Sequence, residues 1–184
     1  MSKDNMLHTR DINFLDLIGN GRTYRVPAFQ RDYSWEEEQW EDLWHDLIGL
    51  SANPNERHYM GALVVEGKND REFKIIDGQQ RLATLSILAL AVIAKLEKAA
   101  AAGTDARANR ERAQGLRNKF VGEKDPASLV ESSKLYLNES DNAFYQDYLV
   151  QLREPRNPRG HPQSNRLLWD CFRYFVAQLE SVPV

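Results

Sequence analysis

Two short runs rich in β-branched and aromatic residues precede the longest apolar run of the chain. The runs 59–66 and 73–77 are separated by a segment of turn composition, so they predict a β-hairpin or two neighbouring strands. In the range 82–96, apolar residues recur at helical spacing over about four turns. Gly78 is therefore predicted to lie where a strand gives way to a helix.

Two further helices are predicted in the first part of the chain. Residues 9–18 carry apolar side chains at helical spacing and end at a Gly-Asn-Gly segment. Ser34 and Glu37 have the spacing of a capping box, which predicts Ser34 as the N-cap of a helix with a buried tryptophan-containing stripe. The segment 22–27 is predicted to be extended, with Pro27 at a strand end or a sheet edge.

The second half of the chain is predicted to be helical, because no strand pattern is evident beyond residue 82. Its helical patterns are interrupted at residues 103–104, 123–126 and 155–162. The predicted fold class is α+β, with a small mixed sheet and helices followed by an all-helical C-terminal half. The predicted division is an α/β core at residues 1–96 and a helical extension at residues 97–184.

Length and composition are those of an ordinary globular protein. The 184 residues suffice for one domain, or for a small domain with a helical appendage. One cysteine, Cys171, excludes an internal disulfide, and its apolar surroundings in the sequence favour a buried thiol over a nucleophile. The sequence shows neither a membrane-spanning run nor a signal-peptide core, which favours a cytoplasmic protein.

Charge is informative only locally, because a formal net charge of -3 predicts no overall attraction to nucleic acid. Residues 97–119 are Ala-rich and mix basic with acidic side chains, which favours a solvated helix or a mobile connector over a nucleic-acid-binding arm. A Pro-rich segment holds a second basic cluster, which is the better candidate for a phosphate contact. Its members are Arg153, Arg156, Arg159, His161 and Arg166.

The predicted strand-to-helix joint carries the sequence Asp77-Gly78-Gln79-Gln80-Arg81. A helix that begins here presents unpaired N–H groups and the positive end of its dipole, which favours an anion such as phosphate. The carboxylate can cap the helix or bind a divalent cation, and the guanidinium suits phosphate. The alternative is a purely structural turn and helix cap, since Asp-Gly is a common turn. The sequence shows no metal-ligand spacing of histidines, no Walker loop and no nucleophile elbow.

Three separated motifs, in order, closely resemble the N-terminal domain of GmrSD-type, modification-dependent restriction systems. These motifs are residues 26–35, 59–64 and 76–85. Residues 135–138, 144–145, 164–166 and 174–175 look like the helical continuation of that domain, so the resemblance covers most of the chain. It implies a ParB/sulfiredoxin-like α/β core in which nucleoside triphosphate (NTP) hydrolysis is tied to restriction of modified foreign DNA.

The resemblance also implies roles for individual residues. The catalytic candidates are Asp77, Gln79, Gln80 and Arg81. The nucleotide-binding candidates are Gly78, Gln30 and Arg31. The candidates for contact with modified DNA are Phe29, Gln30, Arg31 and Tyr33. Asp77 is the candidate ligand for Mg²⁺, and either Gln79 or Gln80 is expected to position the attacking water.

The expected function is that of an NTP-binding and NTP-hydrolysing regulatory domain in anti-phage defence. Its expected partners are a nucleoside triphosphate, modified DNA and a C-terminal HNH-type nuclease domain or subunit. No His-Asn-His constellation occurs up to Val184, so this chain is not expected to cleave DNA on its own; it is expected to be either a fragment that precedes a C-terminal domain or the sensor subunit of a split system. One alternative is a non-catalytic sensor module that binds modified DNA or nucleotide and controls a nuclease domain. Another is a scaffold whose joint is only a helix cap.

Overall fold

The computed structural model describes residues 8–53, 57–123, 127 and 133–183, in which four strands and six α-helices are present. The strands are β1 (Thr23–Arg25), β2 (Val64–Gly67), β3 (Glu72–Asp77) and β4 (Leu135–Tyr136). The α-helices are α1 (Phe14–Ile18), α2 (Glu37–Ala52), α3 (Gln79–Ala101), α4 (Ala106–Leu116), α5 (Glu139–Phe144) and α6 (Gln163–Leu179). The π-helical turns Arg117–Val121 and Tyr145–Val150 extend α4 and α5, and a 3₁₀ turn, Pro158–Gly160, precedes α6. The predicted α+β class, with helices in the C-terminal half, is confirmed.

The four strands form one mixed sheet in the order β2-β3-β1-β4. β2 and β3 pair antiparallel, which confirms the predicted hairpin. β1 lies between β3 and β4 and is parallel to both. Pro27 follows the end of β1, so the strand-end alternative is correct and the edge alternative is wrong. A central strand needs its N–H groups for pairing, which is why the proline lies beyond it.

The prediction of no strand in the second half is wrong, because β4 completes the sheet. Tyr24 donates its N–H to the Lys134 carbonyl at 2.7 Å, and Val26 donates to the Tyr136 carbonyl at 2.9 Å. Two residues are too few to show a periodic pattern, so only pairing with β1 defines this strand.

α3 forms the centre of the apolar core. Ile87, Leu90 and Ile93 are fully buried in it, and α4 and α6 both pack against it. The predicted boundary after residue 96 falls inside α3. The parts of the chain before and after this boundary contribute to one apolar core. The division into domains stays a prediction, and residues 124–126 of one predicted break lie outside the described residues.

Several helix predictions are confirmed, but the predicted starts of α1 and α2 are wrong. α1 begins later than predicted, with Asn13 as its N-cap. α2 begins with a reciprocal cap between Glu36 and Gln39, so the box predicted at Ser34 was two residues early. The prediction of a helix within residues 97–119 is confirmed by α4, and Cys171 is buried as predicted. In the part of the chain that the structure describes, no helix combines the length and the apolar character that crossing a membrane requires.

Lys95 ties the C-terminal end of α6 to α3. Its ammonium donates to the main-chain carbonyls of Leu179 and Val182. The last carbonyls of a helix lack partners within the helix and attract a positive charge.

Lys95→Met keeps the apolar stem and removes these bonds, so it should lower the free energy of unfolding by about 1–3 kcal/mol, measured by urea denaturation. The exposed Lys98 provides a control on the same helix, and Lys98→Met should change stability by less than about 0.5 kcal/mol. Equal losses in both variants would contradict the capping role.

Candidate functional site

The strand-to-helix joint lies where the sequence predicts it. Gly78 has a left-handed backbone, with φ of 90°, and is the N-cap of α3. A Cβ here would lie 2.9 Å from Leu63 Cδ1 and 3.0 Å from the Ala62 carbonyl oxygen, so only glycine fits. Asp77 is exposed at the end of β3, and no side chain among the described residues caps α3, so the prediction that this carboxylate caps the helix is wrong.

Arg81 is held against a second glycine. Gly61 has φ of 92°, and a Cβ there would lie 2.7 Å from Arg81 Cζ. The guanidinium donates to the Ala62 carbonyl at 3.4 Å, its one hydrogen bond among the described residues. Most of its donors are thus available to a ligand. Sequence reasoning missed Gly61, although an isolated glycine in a strand-like run indicates a close backbone approach.

Gln80 is buried, and its side chain hydrogen-bonds the loop that precedes α2 to the start of α3. The main-chain N–H of Ser34 donates to its Oε1 at 2.8 Å, and its Nε2 donates to the Asp32 carbonyl at 3.0 Å. Residues 30–34 are called the clamp loop below. Gln79 is also buried, but its amide makes only a 3.4 Å bond, to Gln30 Oε1. Of the two glutamines, Gln79 therefore has the less constrained side chain.

The first turn of α5 binds the clamp loop from the other side. Asn138 is the N-cap of α5, and its Nδ2 donates to Asp32 Oδ1 at 2.7 Å and to the Gln30 carbonyl at 3.1 Å. The N–H of Tyr33 donates to Asp141 Oδ2 at 2.7 Å. Sequence reasoning missed both α5 residues, because their partners lie more than 100 positions earlier in the chain.

The residues predicted to contact DNA have two different environments. Tyr33 is buried, and its hydroxyl accepts from Trp40 Nε1 at 2.9 Å and lies 2.7 Å from Thr84 Oγ1. Burial raises the pKa of this hydroxyl well above its ordinary value. Phe29, in contrast, is 79% exposed, with the Lys74 ammonium 5.7 Å from its ring centre. Arg31 is also exposed. DNA contact by this segment stays a prediction, with Phe29 and Arg31 as its accessible members.

A narrow cleft brings Arg31 together with both glutamines and with α5. It is lined by Val26, Arg31, Tyr33, Gln79, Gln80, Ala83, Leu137, Asn138 and Asp141. Its volume of about 10 Å³ has room for about one water molecule. Asp77 and Arg81 do not line it. A nucleotide therefore does not fit inside the cleft as it stands.

Asp77 is the candidate metal ligand, and the described residues include no group of three His, Cys, Asp or Glu side chains that could bind a metal ion. Mg²⁺ is commonly bound by one or two carboxylates together with phosphate oxygens and water. A single exposed carboxylate at the end of β3 fits that mode, with the remaining ligands coming from a nucleotide and solvent. Metal binding at Asp77 stays a prediction.

Asp141 is a buried carboxyl with unequal oxygens. It is 2% exposed, and its Oδ1 has no hydrogen-bond partner among the described residues. Burial raises the pKa of Asp141 above its ordinary value, and the nearby Asp32 carboxylate raises it further. Hydrogen bonds with Ser164 and with the Tyr33 N–H act in the opposite direction. The folded state therefore binds a proton at Asp141 more tightly than the unfolded chain does.

Truncation of the two glutamines should separate their structural roles. Gln80→Ala leaves the Ser34 N–H and the Asp32 carbonyl without their partner, so it should lower the free energy of unfolding by about 1–3 kcal/mol. Gln79→Ala loses one long bond and should cost less than about 1 kcal/mol. Urea denaturation measures both, and hydrogen exchange should be faster at Ser34 in the Gln80 variant alone. Equal effects of the two variants would argue against Gln80 as the fastening residue.

The Asp141 carboxyl should make stability depend on pH. Because its pKa is raised on folding, the free energy of unfolding should fall as pH rises from the ordinary value of about 4 through the raised pKa. Asp141→Asn retains an acceptor for Tyr33 and should remove this fall, as measured by urea denaturation across that range. Asp170→Asn, an exposed control on α6, should retain it. The assignment would be rejected if both variants followed the wild-type pH profile.

Comparison with known proteins identifies the family of this chain. The chain matches the family model described as the GmrSD restriction endonuclease N-terminal domain over residues 13–182. No curated protein matches the chain. The match includes the clamp loop, the joint and both α5 and α6, so the resemblance predicted from the three motifs is confirmed. The chain belongs to the family of GmrSD restriction endonuclease N-terminal domains.

Proposed function

We propose that this domain binds and hydrolyses nucleoside triphosphates and thereby regulates a modification-dependent restriction system. Membership of the family supports a role in defence, and it implies a nuclease domain as partner. The observation that carries the nucleotide proposal is the start of α3 at Gly78, without a side-chain cap and beside the guanidinium of Arg81. The same joint follows the exposed carboxylate of Asp77.

Phosphate binding is the simplest use of this joint. α3 is 23 residues long, so its dipole is fully developed, and its first N–H groups have no side-chain acceptor in the described parts of the chain. Arg81, in the first turn of α3, has guanidinium donors left for a phosphate at this helix start. The cleft has room for about one water molecule, so the nucleotide binds outside it, at the exposed surface of the strand-to-helix joint.

For hydrolysis, Gln79 is the better candidate to position the attacking water. The amide of Gln80 is already hydrogen-bonded at both ends to the clamp loop, whereas Gln79 makes one long bond that a ligand can replace. A neutral amide can orient water without a shifted pKa. Arg81 stabilises charge on the transferring phosphoryl group, and Asp77 holds Mg²⁺, which neutralises charge on the phosphate oxygens.

The alternative function is a non-catalytic sensor of modified DNA or nucleotide that controls the nuclease. Binding requires only the anion site and an accessible surface. Phe29 favours this alternative, because its ring is 79% exposed and lies beside the Lys74 ammonium, as a base-stacking platform requires. Turnover would distinguish an NTPase from such a sensor.

Phosphate release from ATP, GTP, CTP and UTP with Mg²⁺ tests the proposal. Arg81→Ala should weaken nucleotide binding by about 1.5–3 kcal/mol, because a charge-assisted phosphate bond is lost. Asp77→Ala should reduce turnover more than binding. Arg71→Ala, which removes an exposed arginine from the β2–β3 turn, should leave both unchanged. All variants are compared at matched folded fraction.

Two outcomes would redirect the proposal. Nucleotide binding without turnover in the wild-type chain would favour the sensor. An equal loss of stability and of binding in the Arg81 variant would indicate a structural role, in which the contacts of Arg81 with Gly61 and Ala62 stabilise the fold.

A further inference from the structure

The segment before and at the start of α6 concentrates positive charge in a chain whose net charge is negative. Residues 153–166 are called the basic loop, and its arginines are Arg153, Arg156, Arg159 and Arg166. Glu154 is its one acidic residue. The nucleotide site described above uses none of these side chains.

The four arginines are exposed, and the part of the chain that the structure describes offers their side chains no partner. Among the described residues, none of their side chains takes part in an ion pair or a hydrogen bond. Arg107 on α4 shows the contrast, because it pairs with Glu111 at 2.9 Å. A guanidinium is weakly hydrated and presents a planar fork that matches phosphate oxygens. Unpaired arginines therefore suit a polyanionic partner.

The basic loop is anchored, so its charges are displayed without a large cost in chain entropy. The His161 ring packs edge-on against Phe144 and Tyr148, with ring centres 4.9 and 5.5 Å apart. Pro155 is buried, and Pro158 starts the 3₁₀ turn. Prolines restrict the backbone, and a preorganised surface loses less freedom on binding.

The same helical segment anchors both the basic loop and the clamp loop that carries Arg31. Asp141, in the first turn of α5, accepts from the Tyr33 N–H of the clamp loop at 2.7 Å. Tyr148, which contacts His161, lies seven residues further along, in the π-helical turn that directly continues α5. The contacts that anchor the two loops therefore belong to one continuous helical segment.

We infer that the basic loop binds the sugar-phosphate backbone of double-stranded DNA beside Arg31. The inference rests on the DNA partner in the proposed function and adds where the duplex lies. Backbone contacts position a duplex without selecting its sequence or its modification. The basic loop therefore supplies affinity, and recognition of the modification is left to the exposed residues of the 29–31 segment.

Fluorescence anisotropy with a labelled, unmodified DNA duplex tests the inference. Arg156→Ala/Arg159→Ala should weaken binding on the order of tenfold. The negative slope of log affinity against log salt should become shallower by about 1.8, or about 0.9 for each lost phosphate contact. Arg71→Ala/Arg110→Ala removes the same charge from exposed positions outside the basic loop and should leave the slope unchanged. Arg156→Lys/Arg159→Lys should restore most of the slope.

The inference would be overturned by a wild-type slope in the Arg156/Arg159 variant, or by an equal effect of the control pair. Tight binding of single-stranded RNA with no binding of duplex DNA would also reject it. Nucleotide turnover is measured on the same variants. Loop-dependent DNA binding in a chain without turnover would leave the inference standing while the NTPase proposal fails, and turnover without loop-dependent DNA binding would give the opposite result.

Discussion

The side-chain amide of Gln80 is buried in the first turn of α3, and both of its ends are hydrogen-bonded to the main chain of the clamp loop. A buried amide is costly unless it is satisfied, and the two groups that satisfy it belong to a segment more than 40 residues earlier in the chain. The hydrogen bonds of Gln80 therefore couple the position of the clamp loop to that of α3. Because Arg31 and Gln30 belong to this loop, their distance from the strand-to-helix joint depends on Gln80.

α5 completes the arrangement from the opposite side. Asn138 and Asp141 bind the clamp loop through its carbonyl, carboxylate and N–H groups. Such a polar network is stable only when most of its members are satisfied, and the unpartnered Asp141 Oδ1 is its exception. A ligand that moved the clamp loop would disturb contacts with α3 and α5 together. This linkage would give the proposed nucleotide site at the joint and the proposed DNA surface at the basic loop a physical route by which to influence each other.

Local patterns identified the elements whose formation depends on nearby residues. The β2–β3 hairpin, the joint at Gly78 and the long apolar helix α3 follow from residue type and spacing, because turn chemistry and helical periodicity act over a few positions. The capping box was placed two residues early, because Ser34 has a capping residue type but its N–H is bound by Gln80. β4 was missed, because a two-residue strand has no periodicity and exists only through pairing with β1.

The sequence alone determined the α+β class, the location of the joint, the burial of Cys171 and the chemical types available for binding phosphate. Contacts between distant parts of the chain fix how those side chains are used. The fold buries Tyr33 and the amide of Gln80, leaves Phe29 and Asp77 exposed, places Arg81 on Gly61, and brings Asn138 and Asp141 to the clamp loop. The physical reason is range: propensity and periodicity report on neighbours within a few residues, whereas the satisfaction of buried polar groups depends on partners that only folding brings together.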